Sequence, residues 1–468
     1  MFSEKSTFAL FFGNRGFFPG SLIASARKEM SDVLKKMGYK SLMLDEKATH
    51  YGAVETAAEG RIYADFLKKN RGNFDGIILS LPNFGDETGV VTALEDTKVP
   101  ILIQAYPDEL DKMCPELRRD AFCGKMSVMN IFSQHKIPFT VLPPHVIHPN
   151  NKDFEKQISY FDKVCRVVKG MRKMTVGAIG ARTTPFKTVR IDELSLQSHG
   201  ITVETFDLSS VFARMGCLKS SEKAVKNKTS FLKGYSNWQG VPLSAFENIV
   251  KLAVVFDEMI EEYHFDAIAL RCWVEMQEVM GISPCVVLSE LNNRGIPAAC
   301  ETDIGDAVTM FALSRATGSV ATCLDWNNNY GQEEEKCILF HCGPVPRKMM
   351  KTEGRIVDHA ILANSVGKGC SFGCSQGRIL EGPFTYGSML TRNGELEFYA
   401  GEGIFTDDPI PDDFFGCAGV AKIDDLQNVL KTIGCLGHRH HASVVPGHIL
   451  APIKEAFDNY LKFSIVAF

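Results

Sequence analysis

The sequence contains no long hydrophobic run, no strongly basic segment and no secretion signal. No apolar stretch reaches the roughly 20 residues that a membrane-spanning helix needs. The net charge of −5 is spread over both signs along the chain, so there is no basic stripe to bind a phosphate backbone. The start, MFSEKSTFALFFGNRGFF, has an early acid and too short an apolar core for a signal peptide. We therefore expect a cytoplasmic protein without membrane or nucleic-acid partners.

The 14 cysteines do not have the spacing of a disulfide framework. Residues such as Cys272, Cys300 and Cys323 lie in strand-like contexts, which is typical of small buried thiols. Cys370 and Cys374 are spaced C-x3-C, but no second pair accompanies them in the sequence. A zinc site at this pair is therefore not expected.

A complete dinucleotide-binding fingerprint is also absent. The segment GAIGAR resembles part of a glycine-rich phosphate loop. It lacks the full G-x-G-x-x-G pattern and the acid that would follow on the next strand. The sequence therefore gives no reason to expect a nicotinamide cofactor.

The first two thirds of the chain alternate strand and helix patterns. TFALFFGN predicts a strand, GSLIASARKEMSDVLKKMG an amphipathic helix and KSLMLD a second strand. The same alternation begins again at MTVGAIGART and continues as far as KCILFHCGPVP. Such alternation predicts parallel sheets covered by helices.

The last third has a different composition and residue pattern. GRILEGPFTYGSMLTRNGELEFYAGEGIF is rich in glycine, threonine and aromatic residues, and its RNGE is a hairpin-turn signal. We therefore predict an α/β fold with two doubly wound α/β domains, followed by a C-terminal, mostly antiparallel, barrel-like β domain. The predicted boundaries are 1–170, 171–345 and 346–468.

Two acids, Glu301 and Asp325, each follow a short apolar run in ACETDIGDAVTMFALSRATGSVATCLDW. The residues between them have helical periodicity, with Thr302 or Asp303 as a candidate N-cap and Gly318 as a candidate C-cap. In a doubly wound sheet, residues just past the carboxyl ends of the strands line the ligand crevice. We therefore expect both carboxylates to face one site, although helix capping and turn formation are alternative roles for such acids.

Histidines could complete a metal site with these carboxylates. His341 follows the apolar run CILF, and four of the 12 histidines lie within residues 438–448. Mixed oxygen and nitrogen ligands suit Mn²⁺, Co²⁺ or Mg²⁺. A solvated loop and a histidine at the rim of the core are the alternative interpretations of these positions.

The segment with the two acids resembles the metal-binding segment of L-fucose isomerases and, more distantly, of L-arabinose isomerases. The 24 positions from Glu301 to Asp325 match the fucose-type spacing. HHASVVPGH resembles the C-terminal histidine motif of the family, which makes His441 the implied third metal ligand. His341 lies near the position of a fourth ligand in arabinose-type enzymes, so its role stays open.

FFGNRGFFP resembles the family's opening strand with its arginine, which here is Arg15. In the family this arginine reaches the active site of a neighbouring subunit, so the resemblance implies a homo-oligomer, a trimer or a hexamer. We assign Arg15, His341 and His440 to substrate binding.

The resemblance implies an aldose–ketose isomerase that uses Mn²⁺, with Co²⁺ or Mg²⁺ as alternatives. The metal would chelate O1 and O2 of an open-chain sugar and stabilise an enediolate. We hypothesise that Glu301 and Asp325 are catalytic, binding the metal and shuttling protons, with His441 completing the ligand set.

The substrate class implied is a pentose, a 6-deoxyhexose or a C6-substituted hexose, for example a sulfonated one. Arg15, Arg182 and Arg271 are candidates to bind an anionic group at C6, because a guanidinium binds oxyanions in bidentate fashion. Two other classes stay open: a non-catalytic cytoplasmic sugar-binding protein and a metal-dependent hydrolase.

Overall fold

The structure, a computed structural model, describes residues 5–468. The chain divides into two compact units. One comprises residues 5–169 and Pro452–Lys462, and the other comprises Gly170–Ala451 and Phe463–Phe468. Within residues 5–468, no helix combines the length and the apolar character needed to cross a membrane.

The first unit contains a four-stranded parallel sheet with the strand order β2-β1-β3-β4. Its strands are β1 (Thr7–Phe12), β2 (Lys40–Met43), β3 (Gly76–Leu81) and β4 (Ile101–Ala105). Its helices are α1 (Ser21–Lys36), α2 (Ala57–Lys69), α3 (Glu87–Leu94), α4 (Ala121–Gln134) and α5 (Lys152–Met171).

Strand β1 alternates between two hydrophobic cores, one on each face of this sheet. Phe8 and Leu10 pack into one core, and Ala9 and Phe11 pack into the other. A strand that is buried on both faces belongs to a parallel sheet with helices on both sides. The predicted doubly wound arrangement is therefore present in the first unit.

The second unit begins with another four-stranded parallel sheet, whose strand order β6-β5-β7-β8 repeats that of the first. Its strands are β5 (Met174–Ile179), β6 (Ile201–Phe206), β7 (Ala267–Leu270) and β8 (Ala298–Ala299). Its helices are α6 (Glu193–Ser198), α7 (Leu208–Cys217), α8 (Lys223–Lys233), α9 (Leu243–Tyr263), α10 (Glu275–Met280), α11 (Cys285–Asn293) and α12 (Ile304–Thr317).

A nine-stranded sheet follows, and six of its strands close into an antiparallel barrel in the order β15-β10-β9-β16-β13-β14. The strands are β9 (Thr322–Tyr330), β10 (Glu333–His341), β11 (Arg355–Asp358), β12 (Phe372–Arg378), β13 (Gly382–Arg392), β14 (Glu395–Thr406), β15 (Cys417–Lys422), β16 (His441–Pro446) and β17 (Ser464–Ala467). The remaining helices are α13 (Ala363–Val366), α14 (Leu426–Cys435) and α15 (Leu450–Glu455).

The predicted fold class, two parallel α/β layers and a C-terminal antiparallel barrel, is confirmed. The RNGE hairpin is also present, because Arg392 pairs with Glu395 across a turn in which Asn393 and Gly394 both have positive φ. The three predicted domain boundaries stay predictions.

Two strand assignments were wrong. We expected the runs that end at Asp325 and at His341 to be strands of the second parallel sheet. Both belong to the barrel instead, where β9 pairs antiparallel with β10 and β16, and β10 also pairs antiparallel with β15. The reason is the tight connection to β10, where Tyr330 pairs with Glu333 and Gly331 has φ 57°. So short a link joins antiparallel neighbours, whereas parallel strands need a crossover of a dozen or more residues.

Helix α12 lies between the second parallel sheet and the barrel, contacting β7 and β16. It is buried nearly all round, from Ile304 to Leu313. A helix that is buried on all sides needs no polar face. Its N-terminus is therefore held in one place, close to residues from both layers.

Candidate active site

Glu301 lies in the loop that joins β8 to α12, at the carboxyl edge of the second parallel sheet. Glu301 and Thr302 have φ values of 55° and 58°, in the left-handed region that side-chain-bearing residues rarely adopt. The loop is held by hydrogen bonds from Thr302 N to Leu270 O at 3.0 Å and from Asp303 N to Cys300 O at 2.9 Å. Such backbone strain is typical of functional sites.

The barrel supplies the other polar side chains from three adjacent strands. Asp325 lies within β9, His341 ends β10 and His441 begins β16. In the antiparallel register His441 is directly opposite Asp325. Directly opposed residues project their side chains on the same face of a sheet, so this pairing brings the two side chains together.

Four side-chain atoms converge in this region. Nε2 of His441 is 3.4 Å from Oδ1 of Asp325 and 3.8 Å from Oε2 of Glu301. Nε2 of His341 is 3.5 Å from the same Oε2 of Glu301. Among the described residues, Glu301 Oε2, Asp325 Oδ1 and His341 Nε2 are buried and have no hydrogen-bond partner. Buried polar atoms are rarely left unpaired, so this arrangement indicates a ligand.

The proton on His441 is positioned by its neighbours. Nδ1 of His441 lies 2.9 Å from Oδ2 of Asp303, and the other carboxylate oxygen of Asp303 pairs with buried Arg439. Asp303 also caps α12 by accepting from the backbone N–H of Asp306 at 3.0 Å. Because a carboxylate accepts at Nδ1, the neutral ring presents the lone pair of Nε2 toward Glu301 and Asp325.

His341 has the opposite arrangement. The backbone N–H of Cys342 donates to Nδ1 of His341 at 2.9 Å, which favours the tautomer that leaves this nitrogen unprotonated. The neutral ring then has its proton on Nε2, which faces Glu301. His341 thus offers a hydrogen-bond donor where His441 offers a lone pair.

Burial and neighbouring charges shift the pKa values of these groups. Burial raises the pKa of Asp325, and the negative charge of Glu301 raises it further, against the opposing effect of the histidines. For His441, burial disfavours the charged ring, but the hydrogen bond to Asp303 and the surrounding carboxylates outweigh it and raise the pKa to about 9. For Asp303, burial opposes ionisation, but Arg439 and His441 outweigh it and lower the pKa to about 2.

One side of the site is bounded by His440 and aromatic residues. Nε2 of His440 is 3.8 Å from Oδ1 of Asp325, and its side chain is 44% exposed. The ring of Phe186 lies 5.4 Å from the ring of His440, 5.5 Å from that of His441 and 6.1 Å from that of Trp273. This part of the site is therefore open at His440 and apolar at Phe186 and Trp273.

The donor set fits a divalent cation. It combines two carboxylate oxygens with an imidazole lone pair, and two of these atoms are buried without a partner. Ligand atoms held about 2.1 Å from one ion lie roughly 3.0–3.5 Å apart, and Nε2 of His441 is already 3.4 Å from Oδ1 of Asp325 and 3.8 Å from Oε2 of Glu301. Glu301, Asp325 and His441 can therefore hold such an ion with small side-chain movements.

The other predicted candidates lie elsewhere or are paired. Arg15, in the first unit, pairs with Glu87 and packs over the ring of Phe84 at 4.1 Å. Arg271 pairs with Glu275, and Arg182 donates to backbone carbonyls in its own loop.

The remaining histidines of the C-terminal cluster have other surroundings. His438 packs edge-on against Tyr399, and Nδ1 of His448 is 4.0 Å from Glu402. Of the six predicted site residues, the structure brings five together in the second unit: Glu301, Asp325, His341, His440 and His441. The sixth, Arg15, lies in the first unit.

Asp303 and Arg439 were missed as site residues. A signal for Asp303 was present, because it is an N-cap acid two positions after Glu301, but capping explains such an acid equally well. Arg439, between His438 and His440, has no distinguishing spacing. Only the fold shows that it is buried and paired with Asp303.

Two family models match the chain. One, described as "Fucose/sulfoquinovose isomerase, N-terminal domain", matches residues 9–172, and the other, "L-fucose isomerase, C-terminal domain", matches residues 339–468. Together they span more than half of the chain. The chain belongs to the fucose-isomerase-like superfamily.

Curated relatives agree with membership of this superfamily. Sulfoquinovose isomerases of Priestia aryabhattai and Priestia megaterium are each 25% identical over 295 residues, which is 62% of this chain and 63% of the relative. A sulfoquinovose isomerase of Alkalicoccus urumqiensis is 23% identical over 274 residues, 58% of this chain and 59% of the relative. The matches thus span less than two thirds of the length of these relatives.

Among solved structures, an ABC transporter solute-binding protein from Burkholderia multivorans aligns with 10% identity, covering 68% of this chain and 95% of that chain. Its TM-score of 0.19 is too low to indicate a common fold.

Proposed function

We propose that the chain is a metal-dependent aldose–ketose isomerase that acts on the open-chain form of a C6-sulfonated hexose. The observation that carries the proposal is the convergence of Glu301 Oε2, Asp325 Oδ1, His341 Nε2 and His441 Nε2, three of them buried without partners. Membership of the superfamily and relatives described as sulfoquinovose isomerases support the reaction class and the substrate.

We assign the cation to Glu301, Asp325 and His441, with Mn²⁺ as the expected ion. Bound there, the cation would act as a Lewis acid toward two adjacent oxygens of the sugar. Asp303 and Arg439 support the assignment of His441, because they hold its Nδ1 proton away from the site. His341 is assigned to the sugar instead, because its Nε2 carries a proton that can be donated to a sugar oxygen.

The isomerisation moves one proton from C2 to C1 and one from O2 to O1. Glu301 and Asp325 are the proposed acid–base groups, because a carboxylate oxygen can accept a proton from one atom and return it to the other. The raised pKa of Asp325 suits this role, since it brings the group closer to the pH at which it must both take and give a proton. Phe186 and Trp273 bound the site with apolar surface, which limits water access.

Arg15 is the proposed partner of the anionic group. A guanidinium binds a sulfonate in bidentate fashion, and the pairing of Arg15 with Glu87 holds its side chain in place. Arg271 is paired with Glu275 in the same way, so the choice of Arg15 rests on its resemblance to the arginine of the family. By resemblance to the family, Arg15 serves the site of a neighbouring copy, so we propose a homo-oligomer, a trimer or a hexamer.

The first test uses chelator-stripped protein with and without added Mn²⁺. Proton NMR in D₂O follows deuterium incorporation at C2 of sulfoquinovose, with L-fucose, L-arabinose, D-arabinose and D-glucose as comparison sugars. We expect metal-dependent incorporation and ketose formation with sulfoquinovose. Tight sugar binding without exchange would favour a binding protein, and metal-dependent cleavage of an ester or glycoside would favour a hydrolase; either would overturn the proposal.

The second test asks whether Arg15 serves the active site of a neighbouring copy of the chain. We expect Arg15→Ala and Glu301→Gln each to remove activity in separate preparations, and the two variants are then denatured, mixed and refolded together. If Arg15 serves a neighbouring copy, the mixture recovers part of the wild-type rate, because some sites then contain both native residues. No recovery, in a mixture shown by light scattering to be oligomeric, would place Arg15 outside the neighbouring site.

A further inference from the structure

Five thiols lie next to one another beside His341: Cys272, Cys285, Cys300, Cys342 and Cys374. Sγ of Cys342 is 3.2 Å from Nδ1 of His341 and 3.7 Å from Sγ of Cys285. The sulfur atoms of Cys300 and Cys342 and a ring nitrogen of His341 all lie within 4.8 Å of one another. His341 thus faces carboxylates with one nitrogen and sulfur with the other.

Cys285 and Cys342 differ from ordinary buried cysteines in what they contact. Cys374 and Cys417 donate to the backbone carbonyls of Cys342 and Ser375, as a small buried S–H group commonly does. Cys285 and Cys342 face each other, and Cys342 also faces an imidazole nitrogen. Thiolate and imidazole are the ligand types that zinc-like cations select.

The spacing also fits such a cation. Two sulfur atoms bound tetrahedrally at about 2.3 Å from one ion lie roughly 3.8 Å apart, which is close to the separation of the Cys285 and Cys342 sulfurs. The sulfur of Cys300 lies within 4.8 Å of the sulfur of Cys342, so Cys300 must move toward Cys342 to join the pair. All three thiols are free of disulfide bonds.

We propose that Cys285, Cys300 and Cys342 form a second cation site for a thiophilic divalent ion of the zinc and cadmium class, and that its occupation inhibits the neighbouring carboxylate site. Each thiol releases its proton to solvent as its sulfur binds the ion. Mn²⁺ prefers oxygen and nitrogen ligands, so ligand softness keeps the two sites distinct.

The inhibition follows from the positions of two of these thiols in the sequence. Cys300 directly precedes Glu301, and Cys342 directly follows His341. An ion that draws the sulfur atoms of Cys300 and Cys342 together therefore displaces both neighbouring side chains. This inhibitory part rests on the proposed isomerase function, whereas the binding part does not.

The test titrates reduced, chelator-stripped protein, preloaded with Mn²⁺, with Cd²⁺. The readout is the ultraviolet thiolate-to-cadmium charge-transfer band, which cadmium bound to carboxylates and imidazole does not produce. We expect the band to saturate at one equivalent and isomerase activity to fall at least tenfold in parallel, with recovery on adding a dithiol. Cys342→Ser and Cys300→Ser should lose the band, while the exposed-thiol controls Cys217→Ser and Cys435→Ser should retain it and the basal activity.

Absence of a saturating band at one equivalent, or its loss in the exposed-thiol controls, would overturn the site. A band without loss of activity would overturn the inhibition. A band in a protein without isomerase activity would support the thiol site while removing the proposed function. If the serine variants do not fold, cadmium NMR of the wild-type protein decides the matter, because the chemical shift reports the number of sulfur ligands.

Discussion

The two parallel sheets share one strand order. They differ in whether the polar side chains at their carboxyl edges have hydrogen-bond partners. In the first sheet, Asn83 donates to Asn14 at 2.8 Å and accepts from the backbone N–H of Arg15 at 3.2 Å, and Asn14 donates to Glu55 at 3.0 Å. At the second, an oxygen of Glu301 is buried without a partner. Paired polar groups hold a loop in place, whereas unpaired ones are available to a ligand.

The difference has an energetic meaning. A satisfied network stabilises the fold, while buried groups kept apart from partners cost stability that only a bound ligand restores. Substitution of the paired side chains at the first edge should therefore lower stability, whereas substitution of Glu301 at the second should lower activity.

The largest effect is expected for the carboxylates of the second site. Glu301→Gln and Asp325→Asn keep the side-chain shape but remove a proposed metal ligand and proton carrier, so kcat should fall roughly 10²–10⁴-fold. The measurement is the rate of C2 deuterium exchange. Glu55→Gln, a matched substitution at the first edge, should retain the wild-type rate; an equal loss there would remove the distinction between the edges.

The next effect concerns pH. In the metal-free protein the pKa of His441 is raised to about 9, so at neutral pH its Nε2 must lose a proton before it can bind a cation. Mn²⁺ affinity should therefore rise up to about tenfold per pH unit between pH 7 and pH 9 and then level off. Calorimetry in buffers of different ionisation enthalpy would detect the released proton.

The same shift makes a prediction about stability. The charged His441 stabilises the metal-free fold fully below the unfolded pKa of roughly 6.5, and this contribution is lost as the pH rises through about 9. For the preceding prediction, a Mn²⁺ affinity that does not change between pH 7 and pH 9 would show that His441 is not a ligand.

A smaller effect is expected from the residues behind His441. The double variant Asp303→Asn/Arg439→Met removes the buried ion pair without leaving one charge unpaired. Without the carboxylate, the ring of His441 is free to reorient, so Mn²⁺ affinity should fall about 10–100-fold. Isothermal titration measures the loss, and thermal unfolding checks that the variant folds. Unchanged affinity in a folded variant would assign the pair to stability alone.

The smallest effect is on the free energy of unfolding, which should change in opposite directions for substitutions at the two edges. Asn83→Ala leaves buried groups unpaired in the first sheet, so the free energy of unfolding should fall by about 1–2 kcal/mol. Above the His441 pKa of about 9, Glu301→Gln relieves the repulsion with Asp325 without removing an attraction to a charged His441, so the free energy of unfolding of the metal-free protein should rise there by roughly 0.5–1 kcal/mol. Denaturant titration of metal-free protein compares them, and a loss of stability in both variants would contradict the comparison.

Much of the architecture was predictable from local patterns. Alternating strands and helices gave the parallel sheets, and the turn at Asn393 and Gly394 gave the hairpin, because backbone preferences act over a few residues. The wrong assignment of β9 shows the limit of such patterns. A short apolar run has the same appearance in a parallel sheet and in a barrel, and only the pairing with β10 and β16 distinguishes them.

The sequence by itself determined which residue types are available to the candidate site: two acids at the ends of apolar runs and a cluster of histidines. The tertiary structure alone decided that His441 is paired with Asp325, that Asp303 and Arg439 support it, and that thiols adjoin His341. The reason is physical: these contacts depend on strand register and on burial between layers, which bring together residues that lie far apart along the chain.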